Sequence, residues 1–154
     1  MLLEEVLTNL ATASAIEKRA VCEPSVLNEA PAYGSAFSRA LRLDIGGVVI
    51  LLISGTASID EHGNTVHVGD FRAQLKRTYK NITGLLEAEG ATWKDIVRTT
   101  CYLRDIERDY EAFNEERTAF FAQEGLDPVP ASTGIQAILC RPDLLIEIEA
   151  IAVI

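Results

Sequence analysis

The residues best suited to chemistry in this sequence are two carboxylates near its C-terminus, Glu147 and Glu149. They lie in a run that alternates as a β-strand does, with Ile146, Ile148 and Ala150 on one face and both carboxylates on the other. An unpaired buried charge is costly, so such a carboxylate lies either at a wet edge or in a pocket. In an apolar pocket its pKa rises, and it can protonate a reactant or position water. Glu147 is the candidate for that role; the alternative is an interface carboxylate satisfied by a neighbouring subunit. Glu149 is expected to be structural.

Two neutral polar residues are further candidates for ligand binding. Ser54 and Gly55 end a continuous apolar run over residues 48–54, and Ser54 either donates to a ligand or caps the strand end. No His is placed to activate it, so a Ser nucleophile is not expected. Asn114, in a predicted helix, either reaches a cleft or lies on the helix surface.

Composition narrows the classes of function. A chain of 154 residues with 48% hydrophobic residues is typical of one globular domain. The net charge of −9 argues against nonspecific nucleic-acid binding and against anionic membranes. No apolar run reaches membrane-spanning length, and the first residues contain Glu4 and Glu5 instead of a basic signal region.

The cysteines and histidines bear on compartment and cofactors. Cys22, Cys101 and Cys140 are scattered without a CxxC motif, which favours a reducing compartment and hence the cytoplasm. The two His, His62 and His67, are too few for a convincing zinc site. We therefore predict neither a metal nor another cofactor, and a small-molecule ligand as the partner.

Periodicity predicts the elements that must position these residues. Strands are predicted over residues 37–43, 48–54, 96–103, 131–139 and 144–153, with a short edge strand over 65–68. Asp70 is the predicted N-cap of a helix running to about Glu89, and Asp105 or Asp109 opens a second helix ending near Gly125. Residues 2–18 show helical spacing, and a linker follows to residue 30.

This order of elements predicts an α+β fold with one sheet and two long helices on one face. The other sheet face carries apolar residues beside the two carboxylates, and such a face commonly meets other subunits. A closed homo-oligomer is therefore expected.

Several short passages together resemble the Rid family, also called YjgF or endoribonuclease L-PSP-like. They are Ile53-Ser54-Gly55, Asn81-Ile82 with Leu85-Leu86 and Gly90, Asp95-Ile96-Val97, Asn114 before Phe120-Phe121, Pro130-Ala131, and the run from Ile146 to Ala152. The resemblance implies a chorismate-mutase-like fold for residues 31–154 and a homotrimeric barrel with ligand clefts between subunits. Residues 1–30 would be an added N-terminal helix and linker.

The resemblance also implies a site. Active members deaminate 2-imino acids and carry Pro-Ala-Arg where this chain has Pro130-Ala131-Ser132; the Arg holds the substrate carboxylate. Gly134 stands where a Cys is common, and Phe37 where a Tyr is common. Ser54, Gly55, Asn114 and Glu147 are retained, with Glu147 as the catalytic residue.

The Ser at position 132 changes what is expected of the activity. A hydroxyl cannot replace two parallel charge-assisted hydrogen bonds. Little or no deamination of imines from ordinary amino acids is therefore expected, and the ligand class widens to imine, enol or carbonyl compounds. Candidate replacement cations are Arg39, Arg98, Arg104 and Arg141.

Two alternatives from other classes remain. Phe37-Ser38-Arg39-Ala40, residues 54–59, His67 with Gly69-Asp70, and residues 102–105 are similar to the chorismatases. Those larger hydrolases cleave an enolpyruvyl ether. The second alternative is a structural or regulatory trimer without chemistry. A ribonuclease is the weakest hypothesis, given the acidic composition.

Overall fold

A computed structural model describes residues 16–154. Within them the chain forms one six-stranded sheet in the order β1-β2-β3-β6-β4-β5 and two long helices. The strands are β1 Glu17–Val21, β2 Ala40–Ile45, β3 Val48–Ala57, β4 Ile96–Leu103, β5 Ala131–Gln136 and β6 Ile146–Val153. Neighbouring strands are antiparallel, apart from the parallel pair of β4 and β5. The predicted α+β class is confirmed.

The helices are α1 Phe71–Glu87 and α2 Ile106–Gln123. Each begins where the sequence places an acidic cap: Asp70 accepts from the Ala73 backbone N–H, and Asp105 from that of Arg108. After α1 the chain turns at Gly90 with a φ of 70°, a left-handed conformation that favours glycine.

Both helices pack on one face of the sheet, and the core lies between the layers. The inward residues of β6, Ile146, Ile148, Ala150 and Ala152, are all buried, as the alternation predicts. α1 packs on β3 and β6, and α2 packs on α1 and β4. Tyr79, Trp93 and Phe120 form an aromatic cluster where the two helices meet. No helix within residues 16–154 has the length and apolar character needed to cross a membrane.

The opposite face, here called the outer face, is uncovered by other elements of the described chain and is apolar where β2, β3 and β6 meet. Cross-strand pairs Leu41 with Leu52, Leu43 with Ile50, and Leu52 with Ile151 lie along it. Leu52 is 38% exposed, although its neighbours Leu51 and Ile53 are buried on the helix side.

Some boundaries differ from those predicted. Residues 2–15 of the predicted N-terminal helix lie outside the described residues, but Glu17 and Lys18 belong to β1, which pairs with β2. Residues 65–68 form no strand, only an isolated bridge between Ile59 and Thr65. β5 ends at Gln136 rather than residue 139, and β2 begins at Ala40, after Phe37. In each case hydrogen-bond pairing with a neighbouring strand, which periodicity does not encode, sets the limit.

Candidate functional site

A bulge in β3 shapes the first polar region. Opposite β6, Ile53 pairs with Ala150 but Thr56 pairs with Ile148, so three steps along β3 match two along β6. The extra residue falls at Ser54-Gly55 and bends the strand there. The predicted end of the apolar run at Ser54 is therefore an irregularity inside a longer strand.

Gly55 is needed at the bulge because the Glu147 side chain lies against it. A β-carbon at position 55 would overlap with the Glu147 carboxylate oxygen Oε1, so any larger residue would displace that carboxylate. The overlapping atoms belong to a side chain, and the backbone of Gly55 has no left-handed φ. A larger residue at position 55 would therefore be opposed by the Glu147 carboxylate and not by backbone strain.

Glu147 opens into a cleft of about 410 Å³ at this end of β3 and β6. We call it the Glu147 cleft and define it by Phe37, Arg39, Ser54, Gly55 and Glu147. Cys140 and Arg141 lie at its margin, and apolar side chains complete the wall. Four of the residues predicted for the site, Phe37, Ser54, Gly55 and Glu147, are thus brought together.

The surroundings of Glu147 favour its neutral form. Burial is the main cause that raises the pKa of its carboxyl group, the negative charge of Glu149 raises it further, and the positive charge of Arg39 opposes both. Among the described residues, none donates a hydrogen bond to this carboxylate. A half-buried carboxyl with a raised pKa and an open pocket beside it can donate a proton or hold water.

The other polar groups of the Glu147 cleft have structural tasks. The Ser54 hydroxyl donates to the Ser38 carbonyl at 2.7 Å, so towards a ligand it can only accept. Arg39 is 4% exposed; its Nε donates to the Asn28 carbonyl at 2.7 Å, and its guanidinium lies over the Phe37 ring. Arg39 therefore contributes a fixed positive charge beside Glu147.

A second polar region lies on the helix side of the sheet, at its β5 edge. Ser132 and Gly134 pair with Thr99 and Cys101, whose side chains are buried under the helices. Glu147 and Glu149 pair instead with Tyr102 and Thr100, whose side chains point to the outer face. Within one chain, Ser132 and Gly134 therefore lie on the opposite face from Glu147.

An arginine from α2 dominates this second region. Arg117 donates through Nη2 to Asn114 Oδ1 at 2.6 Å and through Nη1 to Ser132 Oγ at 3.4 Å, and its guanidinium lies 4.6 Å from the centre of the Phe113 ring. It borders a groove of about 390 Å³, which we call the Arg117 groove and define by Arg117, Phe121, Leu126, Val129 and Ser132. Asn114 thus contacts this arginine and not the Glu147 cleft.

Most of the chain matches the sequence profile of a known protein family. The sequence profile described as endoribonuclease L-PSP matches residues 27–154. This chain belongs to that family. The match begins slightly before the predicted boundary at residue 31 and includes both polar regions.

The chain is also similar in sequence and structure to individual proteins. The chain is 36% identical to the 3-aminoacrylate deaminase RutC of Acinetobacter baylyi over 103 residues, which cover 67% of this chain and 78% of that protein. The E. coli YjgF structure has 26% identity and a TM-score of 0.71, covering 88% of this chain and 98% of that one. A Rid-family protein of unknown function, YyfA from Yersinia pestis, has 25% identity and a TM-score of 0.75, covering 90% and 100%. The predicted fold type and Rid-family membership are confirmed.

Each of the four arginines predicted as a replacement cation forms hydrogen bonds with other groups of the protein. Arg39 is bound to Asn28, and Arg104 donates to the carbonyls of Leu144 and Arg141. Arg141 donates to the Gly63 carbonyl. Arg98 is exposed on the outer face and donates to Thr133. Arg117 was missed, although its i, i+3 spacing from Asn114 on a helix could have indicated it.

Metal ligands do not gather in the part of the chain that the structure describes. Over residues 16–154 no group of three His, Cys, Asp or Glu side chains could hold a metal ion.

Proposed function

We propose that this protein is a homotrimeric enzyme that hydrolyses a small carboxylate-bearing imine or enamine in clefts between subunits, with Glu147 as the acid–base group. The observation that supports this most is the Glu147 carboxyl, which has a raised pKa, lies against Gly55 and opens into a 410 Å³ cleft. The similarity to a 3-aminoacrylate deaminase supports the reaction type.

The proposed reaction replaces the carbon–nitrogen double bond of an imine, or of the imine tautomer of an enamine, with a carbon–oxygen one. The neutral Glu147 carboxyl donates its proton to the imine nitrogen, and the carboxylate then accepts a proton from the water that attacks the carbon. Collapse of the tetrahedral intermediate releases ammonia and leaves a carbonyl product. The raised pKa suits this exchange because a general acid acts best with a pKa near the working pH.

The trimer is supported by two features of a single chain. The outer face is apolar along Leu41, Leu43, Ile50, Leu52 and Ile151, and such a surface favours contact with other copies. The candidate site is also divided, with Glu147 in one cleft and Ser132, Gly134 and Asn114 in another region. A neighbouring copy is the simplest source of the missing half.

A second candidate reaction is the chorismatase-like hydrolysis of an enolpyruvyl ether. It is favoured by the open space at Gly134, where an added β-carbon would meet no atom within 4 Å. With Ser132 beside it, this end would accept a larger, cyclic acid. The Glu147 proton would then go to the terminal enol carbon, water would add to the oxocarbenium ion that results, and breaking of the ether C–O bond would release pyruvate and the alcohol.

The test combines assembly with turnover. Light scattering at micromolar concentration should give a trimer mass. Imines generated in situ by an amino-acid oxidase and trapped with semicarbazide report deamination, and an enolpyruvyl ether is assayed in parallel. Because of Ser132, turnover of ordinary imines should fall below that of Arg-bearing family members.

Glu147→Gln separates an enzyme from a passive trimer. It keeps the shape of the side chain but removes the titratable proton, so turnover should fall on the order of a hundredfold or more with the melting temperature nearly unchanged. Glu149→Gln, on the same strand and face, removes only one of the causes that raise the Glu147 pKa, so it should reduce turnover much less than Glu147→Gln does. A monomer mass, or equal activity of Glu147→Gln and wild type, would contradict the proposal.

A further inference from the structure

Arg117 differs from most arginines of the described chain in the partners that it has. Arg19, Arg42, Arg72, Arg77 and Arg108 form ion pairs with carboxylates, while Arg104 and Arg141 donate to backbone carbonyls. Arg117 contacts only the neutral side chains of Asn114, Ser132 and Phe113. Its positive charge is therefore not neutralised by any acidic side chain of the described residues.

The guanidinium is nevertheless held in a fixed orientation. Asn114 accepts from one end, the Phe113 ring supports its face, and Ser132 lies at the other end. Asn114 is itself oriented, because its Nδ2 donates to the Tyr110 carbonyl at 3.0 Å. A guanidinium has five N–H donors, and these contacts use two, so a bidentate edge remains available to an anion.

Ser132 holds the other end of the guanidinium in place. Its Oγ accepts from the Thr99 hydroxyl at 3.0 Å and from Arg117, and its hydroxyl also forms a hydrogen bond with the buried Cys101 thiol. Ser132 therefore orients Arg117, and the N–H donors that a carboxylate would meet come from the guanidinium.

The surroundings of Arg117 indicate what the anion is attached to. The Arg117 groove is lined by Phe121, Leu126 and Val129, and Arg117 is the only charged residue on its lining. Val129 is 59% exposed and Phe121 is buried, so the groove offers an apolar wall from the surface inwards. An acid with an apolar tail fits this combination better than a small, fully polar acid.

We propose that Arg117, projecting from α2, is the carboxylate-binding residue of the site and selects acids that carry an apolar tail. The inference rests on the proposed function insofar as the neighbouring subunit's Glu147 cleft completes the site. It assigns the binding half to the Arg117 groove and the proton-transfer half to Glu147.

The experiment measures binding without turnover, so that it does not depend on any reaction. Titration calorimetry compares hydrocinnamate, a carboxylate with a phenyl tail, with hydrocinnamamide, its neutral analogue. The wild-type protein should bind the acid and discriminate against the amide. Arg117→Met should weaken binding of the acid about tenfold to a hundredfold, with Arg117→Lys in between because it keeps the charge without the fork.

Three more variants exclude general effects of charge or folding. Asn114→Asp places a carboxylate beside the guanidinium, so it should neutralise Arg117 internally and weaken binding while the arginine stays present. Arg19→Met removes the same charge from β1, at the opposite edge of the sheet from β5, and should bind as the wild type does. Arg98→Met tests the remaining exposed arginine without an acidic partner.

The outcomes are distinct. Loss of binding in Arg117→Met and Asn114→Asp, with Arg19→Met and Arg98→Met unaffected, supports the assignment. No binding of the acid by wild type, or equal binding by Arg117→Met, overturns it. A protein that binds the acid through Arg117 but whose turnover ignores Glu147→Gln would instead refute the proposed function alone.

Discussion

The Glu147 cleft and the Arg117 groove contain complementary halves of one chemistry. The first has a carboxyl with a raised pKa, but its cations, Arg39 and Arg141, are held by hydrogen bonds to other groups. The second has a cation without an acidic partner in the described chain, but no acid–base group on its lining. The two lie on opposite faces of the same sheet, so a single subunit cannot bring them to one ligand.

This difference shows how a helix can place a positive charge beside a strand position that has none. The position in the strand holds Ser132, while the guanidinium comes from the adjacent helix and reaches that same serine. A charge is needed at a place in space, and two different elements can supply it.

Leu52→Asp should prevent subunit association, so that the Glu147 cleft of one subunit no longer meets the Arg117 groove of another. Leu52 lies in the middle of the outer face between Leu41 and Ile151, and a buried, unpaired carboxylate there would oppose subunit association. We expect a folded monomer by light scattering and circular dichroism, without measurable turnover. Val68→Asp is the control, because Val68 is 64% exposed in a loop away from this face. A trimer with full activity after Leu52→Asp would remove the outer face as the interface.

Gly55→Ala should impair the Glu147 cleft and leave the Arg117 groove intact. The added β-carbon overlaps with Glu147 Oε1, so the carboxylate must move, and turnover should fall on the order of a hundredfold. A double-mutant cycle shows whether the loss acts through Glu147: in the Glu147→Gln background, Gly55→Ala should cost little more. Additive losses would show that Gly55 acts on the ligand directly. Hydrocinnamate binding should change much less than turnover.

Mixed trimers should reveal whether the halves come from different subunits. Glu147→Gln protomers lack the proton-transfer residue, and Arg117→Met protomers lack the carboxylate-binding residue. The two variants are denatured together, refolded and assayed. If each cleft takes Glu147 from one subunit and Arg117 from the next, random mixing leaves about one quarter of the clefts intact, because each residue is present with a probability of about one half. Activity should return to about that fraction of wild type. No recovery from well-mixed trimers would place both residues in the same subunit's site.

The pH dependence of stability should differ slightly between wild type and Glu147→Gln. The native pKa of Glu147 is raised above its ordinary 4.5, so the folded state binds a proton that the unfolded state releases. Its contribution to stability is therefore fully present below pH 4.5 and is lost as the pH rises through the raised native value. Urea unfolding at equal protomer concentration should show the wild type losing stability relative to Glu147→Gln over that window. Parallel curves would mean that Glu147 is not buried as described.

Local patterns in the sequence were sufficient for most of the elements. The spacing of Leu75, Tyr79 and Ile82 predicted the buried face of α1, and Asp70 and Asp105 marked the helix starts. The prediction was wrong for residues 17 and 18 and for 65–68. A strand at an edge exists only if a partner pairs with it, and that pairing depends on distant residues.

The candidate site was predicted in part for the same reason. Alternation along residues 146–153 determined that Glu147 faces away from the core, and the amino-acid types alone determined that position 132 has no cation. Only the tertiary structure decided that Gly55 receives the Glu147 carboxylate, because a bulge between two strands sets that register. It also decided that Arg117 reaches Ser132, because α2 and β5 become neighbours only when the sheet and helices pack. Periodicity follows from backbone geometry within a few residues, whereas these contacts join residues that are distant in sequence or lie on different elements.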